Sequence, residues 1–350
     1  MFKARSRAAR ALAPVAALAV TAVAAGCSSS GAVSTPKIKT TARAGVAPTP
    51  PGKGAYFGAW VSPDELTGDA ADDADDAPGG PGMAAVAGFE RGLGRSLDIV
   101  QTFHGWKSKF PDETDAAVAR SSRYLLLTWS GTDTREIVRG EHDALIRERA
   151  RAVKALGKPV FLRWQRDMDK ESLRNTKIHS PGDFVAAWKH IRSVFAQERV
   201  ANVAWVWCPT AGGFSSGEAE PFYPGDDQVD WICADVYPGA DYEYRDLSEP
   251  IRGFLEWADG RAKPIMVAEF GVPRSYGDRR AEWLRKAAQT LQHPQVKAVV
   301  YFNSDEHATE PRDDRRKYSV TGDKHAVSAL REFATAPYFN PRNLPVTGGQ

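Results

Sequence analysis

Two acids, about a hundred residues apart, close two similar runs of this chain. KPVFLRWQRD ends on Asp167 and KPIMVAE ends on Glu269. Each run opens with Lys-Pro and passes through a short apolar stretch. Such a stretch reads as a strand buried on both faces. Packing gives no reason for an acid where such a strand stops. In a barrel of parallel strands, that end is where catalytic groups sit. Two carboxyls facing one cleft could hydrolyse a glycosidic bond, one protonating the leaving oxygen while the other attacks the sugar or activates water.

The elements that would position these acids repeat along the chain. Eight apolar runs are expected as strands: 56–61, 97–103, 124–129, 159–164, 203–208, 229–236, 264–269 and 296–303. Helical patterns lie between most of them. HDALIRERARAVKALG is amphipathic, with Gly157 as its stop. SPGDFVAAWKHIRSVFAQE opens with Ser180 as a cap and Pro181 at the first helical position. Alternation of this kind predicts an α/β fold, a single (β/α)8 TIM barrel over residues 53–337, with 338–350 as a C-terminal tail. The stretch 209–228 reads as a loop without a helix. The acidic stretch around 69–76 lacks the ligand spacing of a calcium loop and reads as a solvated insert.

The amino terminus carries other information. Lys3, Arg5, Arg7 and Arg10 precede an apolar stretch that closes on VAAGC. This pattern resembles a bacterial lipoprotein signal over 1–26, with Cys27 as the lipidated residue. An ordinary secretory signal is the alternative. Residues 27–52 are rich in Ser, Thr, Pro, Ala and Gly and read as a flexible tether. The expected location is extracellular, lipid-anchored to the bacterial cell membrane. Removing the four signal cations leaves 42 basic against 44 acidic residues, which argues against a nucleic-acid partner. Cys208 and Cys233 remain after Cys27, and export allows either a disulfide or two separate thiols. No His/Cys cluster has metal-ligand spacing, and no cofactor is implied.

Several segments, in order, are similar to glycoside hydrolase family 26, the β-mannanase-like retaining barrels. They are FERGLGRSLDIVQTF, GKPVFLRWQRDMD, NVAWVWCP, FYPGDDQVDWICADVYP, KPIMVAEFG and VKAVVYFN. The resemblance covers nearly everything after the tether. It implies a polysaccharide substrate, with mannan as the family default and β-1,3-1,4-glucan or β-1,3-xylan within range. A monomer is expected. Glu269 matches the family's nucleophile and Tyr237 a tyrosine that hydrogen-bonds it. Arg166-Asp167-Met168-Asp169 stands where the family has His-Glu-Met-Asn, so Asp167 takes the acid/base position with one methylene fewer. Retention needs the carboxyls about 5–5.5 Å apart and inversion about 6.5–9.5 Å. Strand alternation could turn Arg166 away from Asp167.

Other residues fall near the same barrel end. Arg163 could orient either carboxylate or serve as a structural partner beneath them. Asp235 could point into the mouth or be a structural buried acid. Trp106, Trp129, Trp164 and Trp207 lie at or just after strand ends, which suits sugar stacking. His104 could contact sugar. Tyr301 and Asn303, in VVYFN, complete the expected substrate-binding set, Tyr301 standing where the family usually has Trp.

Overall fold

The computed structural model describes residues 38, 40, 42–66, 74, 77–239, 243–305 and 313–347. The signal, Cys27 and all of the acidic 69–76 stretch except Ala74 lie outside them. Eight parallel strands close into a barrel in chain order. They are β1 (Tyr56–Val61), β2 (Ile99–His104), β3 (Tyr124–Trp129), β4 (Val160–Trp164), β5 (Val203–Trp207), β6 (Trp231–Val236), β7 (Ile265–Phe270) and β8 (Val296–Asn303). The principal helices after them are α1 (Gly80–Leu93), α2 (Glu113–Arg120), α3 (Asp143–Ala155), α4 (Pro181–Gln197), α5 (Ala211–Ser216), α6 (Arg252–Ala258), α7 (Arg280–Thr290) and α8 (Lys324–Thr335). The (β/α)8 expectation therefore holds.

Alternation sorts each strand's side chains between two cores. One set fills the barrel: Ile99, Leu126, Phe161, Val206, Met266 and Val300 are all buried there. The other set, including Leu127, Leu162, Val267 and Val299, packs beneath the helices. Gly58 of β1 is required by the closeness of β2, because a Cβ there would meet Ile99 at 2.7 Å. The local signals act as expected. Ser180 caps α4 by accepting from the Asp183 N–H, with Pro181 in the first turn. Gly157 adopts φ 62° just beyond α3.

Three boundaries differ from expectation. The tether stops short of residue 52. Ala47 and Pro48 are buried, the Pro48 carbonyl accepts from Trp231 Nε1 (3.4 Å), and the Thr49 carbonyl accepts from Tyr56 Oη (3.2 Å). This segment seals the barrel floor, where inner side chains would otherwise meet water. The C-terminal tail also packs onto the fold. Phe339 is buried, its carbonyl accepts from Arg95, and the Thr347 N–H donates to the Gly94 carbonyl at 2.7 Å. The β5–β6 connection carries short helix α5, because the Thr210 hydroxyl accepts from the Gly213 N–H and caps it. The helix spans six residues, too short for its apolar period to stand out in sequence.

Candidate active site

The site begins with irregularities at two strand ends. On β6 and β7, Ala234 pairs with Val267 and then Asp235 pairs with Glu269, so Ala268 is an extra residue. This β-bulge breaks alternation. Ala268 belongs to the barrel interior, and Glu269 also turns inward, while Phe270 resumes the outward set. Bulges beside functional sites commonly re-aim a side chain in this way. After β4, Gln165 (φ 47°) and Asp167 (φ 57°) both adopt left-handed backbone. That conformation is uncommon without glycine. The Asp167 N–H donates to the Cys208 carbonyl at 3.2 Å, and Gln165 Oε1 accepts from the Gly131 N–H at 2.7 Å.

These turns bring Asp167, Asp235 and Glu269 to one cleft of about 730 Å³, walled also by Arg166, Lys170, Thr210, Tyr237, Arg316 and Tyr318. Beneath it lies Arg163, fully buried. Its Nη1 donates to Asp235 Oδ1 at 2.7 Å, its Nη2 donates to Glu269 Oε1, and its Nε donates to Thr128 Oγ1 at 3.2 Å. Burial works against the charged guanidinium, but the two carboxylates outweigh it and raise its pKa. Burial pushes the Asp235 carboxyl well above its ordinary range, with Arg163 opposing and Glu269 adding to the rise. Arg163 thus couples both acids, and Asp235 is both buried and at the mouth.

Tyr237 Oη donates to Glu269 Oε2 at 3.2 Å. Burial, then the Glu269 charge, raises the phenol well above its usual value and keeps it a neutral donor. Asp167 accepts on Oδ2 from Lys170 Nζ at 2.6 Å. Arg166 does not turn away. Its Nη1 lies 3.7 Å from Asp167 Oδ2, its Nε 3.5 Å from Glu269 Oε1, and its guanidinium over the Phe103 ring. Alternation had already lapsed at Gln165. Asp169 faces the α5 entrance, accepting from the Thr210 N–H at 3.0 Å and from its hydroxyl. Burial raises the Asp169 pKa.

The strand-end aromatics are elsewhere. Trp129, Trp164 and Trp207 are fully buried under the helices, and Trp106 stacks on Trp129 with ring centroids 4.5 Å apart. All four are core rather than sugar platforms, because outward positions on β3, β4 and β5 face the helix layer. Tyr301 is likewise outward and buried, its hydroxyl donating to the Tyr318 carbonyl at 2.7 Å. Asn303 accepts on Oδ1 from the Val320 N–H at 2.9 Å and lines a separate cavity beside α1. His104 Nε2 lies 2.9 Å from Asp115 Oδ2. His104, Asp112 and Asp115 cluster closely enough for a metal. Asp112 and Asp115, however, form the capping box of α2, and Asp115 also accepts from Thr102 Oγ1, so the cluster has a structural role. At the mouth end the inward aromatics are instead Trp60, Phe103 and Phe302, packed edge to face.

Cys208, just past the end of β5, and Cys233, within β6, form a disulfide with Cα atoms 4.4 Å apart. Arg163 Nη1 lies 3.7 Å from Cys208 Sγ, which places the bridge directly under the charged cluster. Lys170, Arg316 and Tyr318 were not foreseen. Lys170 could have been found from its place three residues after Asp167, whereas Arg316 and Tyr318 come from the loop beyond β8, which carries no motif.

No family model matches the chain. Its sequence is similar to Endoglucanase H of Acetivibrio thermocellus, 26% identical over 277 residues, covering 74% of this chain and 30% of that protein. It is also similar to the β-1,3-xylanase TXYA of Vibrio sp., 25% identical over 148 residues, 41% of this chain and 30% of that protein. The chain therefore spans about a third of the length of these curated relatives. Solved structures share the fold. The catalytic domain of the family 26 endo-β-1,4-mannanase of Bacillus sp. JAMB-750 superposes with TM-score 0.59 at 14% identity, over 82% of this chain and 87% of that one. A family 26 β-mannanase of Bacteroides ovatus gives TM-score 0.59 at 16% identity, over 82% and 90%. At these identities the structural likeness is one of fold.

Proposed function

We propose that this chain is a retaining endo-glycosidase acting on β-linked polysaccharide. The carrying observation is that Glu269, gripped by Arg163 and Tyr237, shares one cleft with Asp167. In this reading Asp167 protonates the glycosidic oxygen while Glu269 attacks the anomeric carbon, giving a covalent glycosyl-enzyme and a free aglycone. Asp167 then takes a proton from water, which displaces Glu269 and releases the sugar. The two N–H and O–H donors on Glu269 fix its attacking geometry without closing its access to the cleft. The sequence similarity to an endoglucanase and β-1,3-xylanases, together with the mannanase-like fold, supports the substrate class.

The test is reducing-end release from a panel of mannan, β-1,3-1,4-glucan and β-1,3-xylan. Glu269→Ala should lower kcat about a thousandfold or more. Asp167→Ala should spare substrates with activated leaving groups, which need little protonation. Wild-type rates in both variants would refute the assignment.

One observation favours a second reading, a carbohydrate-binding barrel without turnover. The Lys170 ammonium occupies Asp167 Oδ2, the oxygen nearest Arg166 and one of the two that could carry the donated proton. Glycan retention on an affinity gel without reducing-end release, unchanged by Glu269→Ala, would establish that reading. We also propose anchoring through a lipid on Cys27. A Cys27→Ser variant should leave the membrane fraction, and its persistence there would place the anchor elsewhere.

A further inference from the structure

We infer that the glycan this cleft takes is anionic, bearing a carboxylate or sulfate on the sugars next to the cleaved bond. The inference rests on the glycosidase reading and specifies its substrate class. It starts from the charges at the mouth. The chain is close to charge balance overall, with 46 basic against 44 acidic residues, yet Arg166, Lys170 and Arg316 all line the cleft. Asp235 and Glu269 already have Arg163 beneath them, and Asp167 has Lys170. Two guanidiniums therefore face the cleft beyond what the acids need.

Arg316 is the clearer of the two. It belongs to the run Asp313-Asp314-Arg315-Arg316-Lys317. Arg315 pairs with Asp313 at 2.7 Å and Lys317 with Asp314 at 3.1 Å, so the two acids of the run are taken. Arg316 is exposed, lines the cleft, and joins no ion pair or side-chain hydrogen bond among the described residues. It lies beside Tyr318, whose ring packs 4.6 Å from that of Tyr237, the residue bonded to Glu269. Arg316 thus stands on the wall next to the nucleophile. Arg166 offers a second sign. Its Nε is buried and has no hydrogen-bond acceptor, the 3.5 Å approach to Glu269 being too long and poorly directed to serve.

The apolar alternative is weak. The four tryptophans that could have formed stacking platforms are locked in the core, leaving guanidinium, ammonium, hydroxyl and phenol groups around the three carboxylates. A planar guanidinium meets a carboxylate or sulfate through paired N–H donors, a contact a neutral hexose cannot return.

A matched polymer series tests this: a neutral β-1,4-glucan, its C6-oxidised uronate form and its 6-O-sulfated form, each assayed for kcat/KM. Wild type should prefer one anionic form to the neutral one, the preference falling as salt rises. Whichever form is preferred separates carboxylate from sulfate. Arg316→Gln should lower the anionic-to-neutral ratio about tenfold, the size expected for one charged hydrogen-bonding contact, and Arg316→Lys should restore part of it. Equal or greater rates on the neutral polymer, with a ratio unchanged in Arg316→Gln, would overturn the inference. If no polymer of this series is cleaved, the mannan, β-1,3-1,4-glucan and β-1,3-xylan panel tests the glycosidase reading separately, and affinity electrophoresis decides the substrate class. Retardation by the anionic polymers that weakens in Arg316→Gln supports it, and retardation only by the neutral polymer, or none by any, overturns it.

Discussion

Replacing Arg163 by Met keeps most of the volume and removes the charge that holds two buried acids. The guanidinium is completely enclosed and donates to Asp235, Glu269 and Thr128. Removing one partner of a buried ion pair costs about 3–5 kcal/mol, because the remaining charge is left without compensation. At about 2–4 °C per kcal/mol, a value for domains somewhat smaller than this one, the melting temperature should fall by about 10 °C. The loss should depend on pH. Asp235 already has a raised folded pKa, with Arg163 restraining the rise. A carboxyl raised in this way holds a proton in the folded state after the unfolded chain has lost it. Folding stability therefore declines as pH rises from the ordinary carboxyl pKa, about 3.9, through the folded one, and the full penalty stands above that window. Without Arg163 the window extends upward, so the variant should suffer more near pH 7.5 than near pH 4.5. Thermal melts of wild type, Arg163→Met and Arg163→Met/Asp235→Asn at both pH values measure this. The double variant, carrying one orphaned charge fewer, should regain part of the loss. A deficit under about 1 kcal/mol, or one equal at both pH values, would refute the account of Arg163 as the charge partner of both acids.

Tyr237→Phe removes the hydroxyl donated to Glu269, and kcat should fall about tenfold with KM little changed, as measured by initial rates on the best glycan. Replacing both Cys208 and Cys233 with Ala opens a loop of 25 residues and should cost about 3.5 kcal/mol in denaturant unfolding. A double variant as stable as wild type would mean that the bridge adds no net stability.

Much of the fold was legible because buried parallel strands leave long apolar runs and their helices carry caps. Three strands, β1, β3 and β8, fall at the expected boundaries, since turn residues or charges flank them closely. Asp167 and Glu269 were found because acids at the ends of such runs have no packing purpose. The tryptophans were misplaced by a different cause. Position along the chain was read as position around the barrel. If Arg163 points inward, Trp164 must point outward, and the β3–β4 register then turns Trp129 outward with it. The same parity sends Tyr301 to the helices and Phe302 to the mouth. Arg316 and Tyr318 were illegible because their loop reaches the cleft by tertiary folding alone. Ala47 and Pro48 look like linker in composition, and only the open barrel floor gives them something to cover.

The extra residue at Ala268 makes the direction of Glu269 a matter of counting. A substitution there changes a small side chain inside the barrel and leaves Glu269 where it is. Were the same residues to pair as a regular ladder, Ala268 would stand opposite Asp235 and Glu269 would turn toward the outward layer, where Phe270 now meets Tyr301 and Phe333. Every side chain named in the cleft would still be present in such a protein, yet its principal acid would face the wrong way. Deleting Ala268 would instead remove the extra residue and leave Glu269 opposite Asp235 and still inward, so β7 should tolerate the loss of this residue better than the loss of any neighbour.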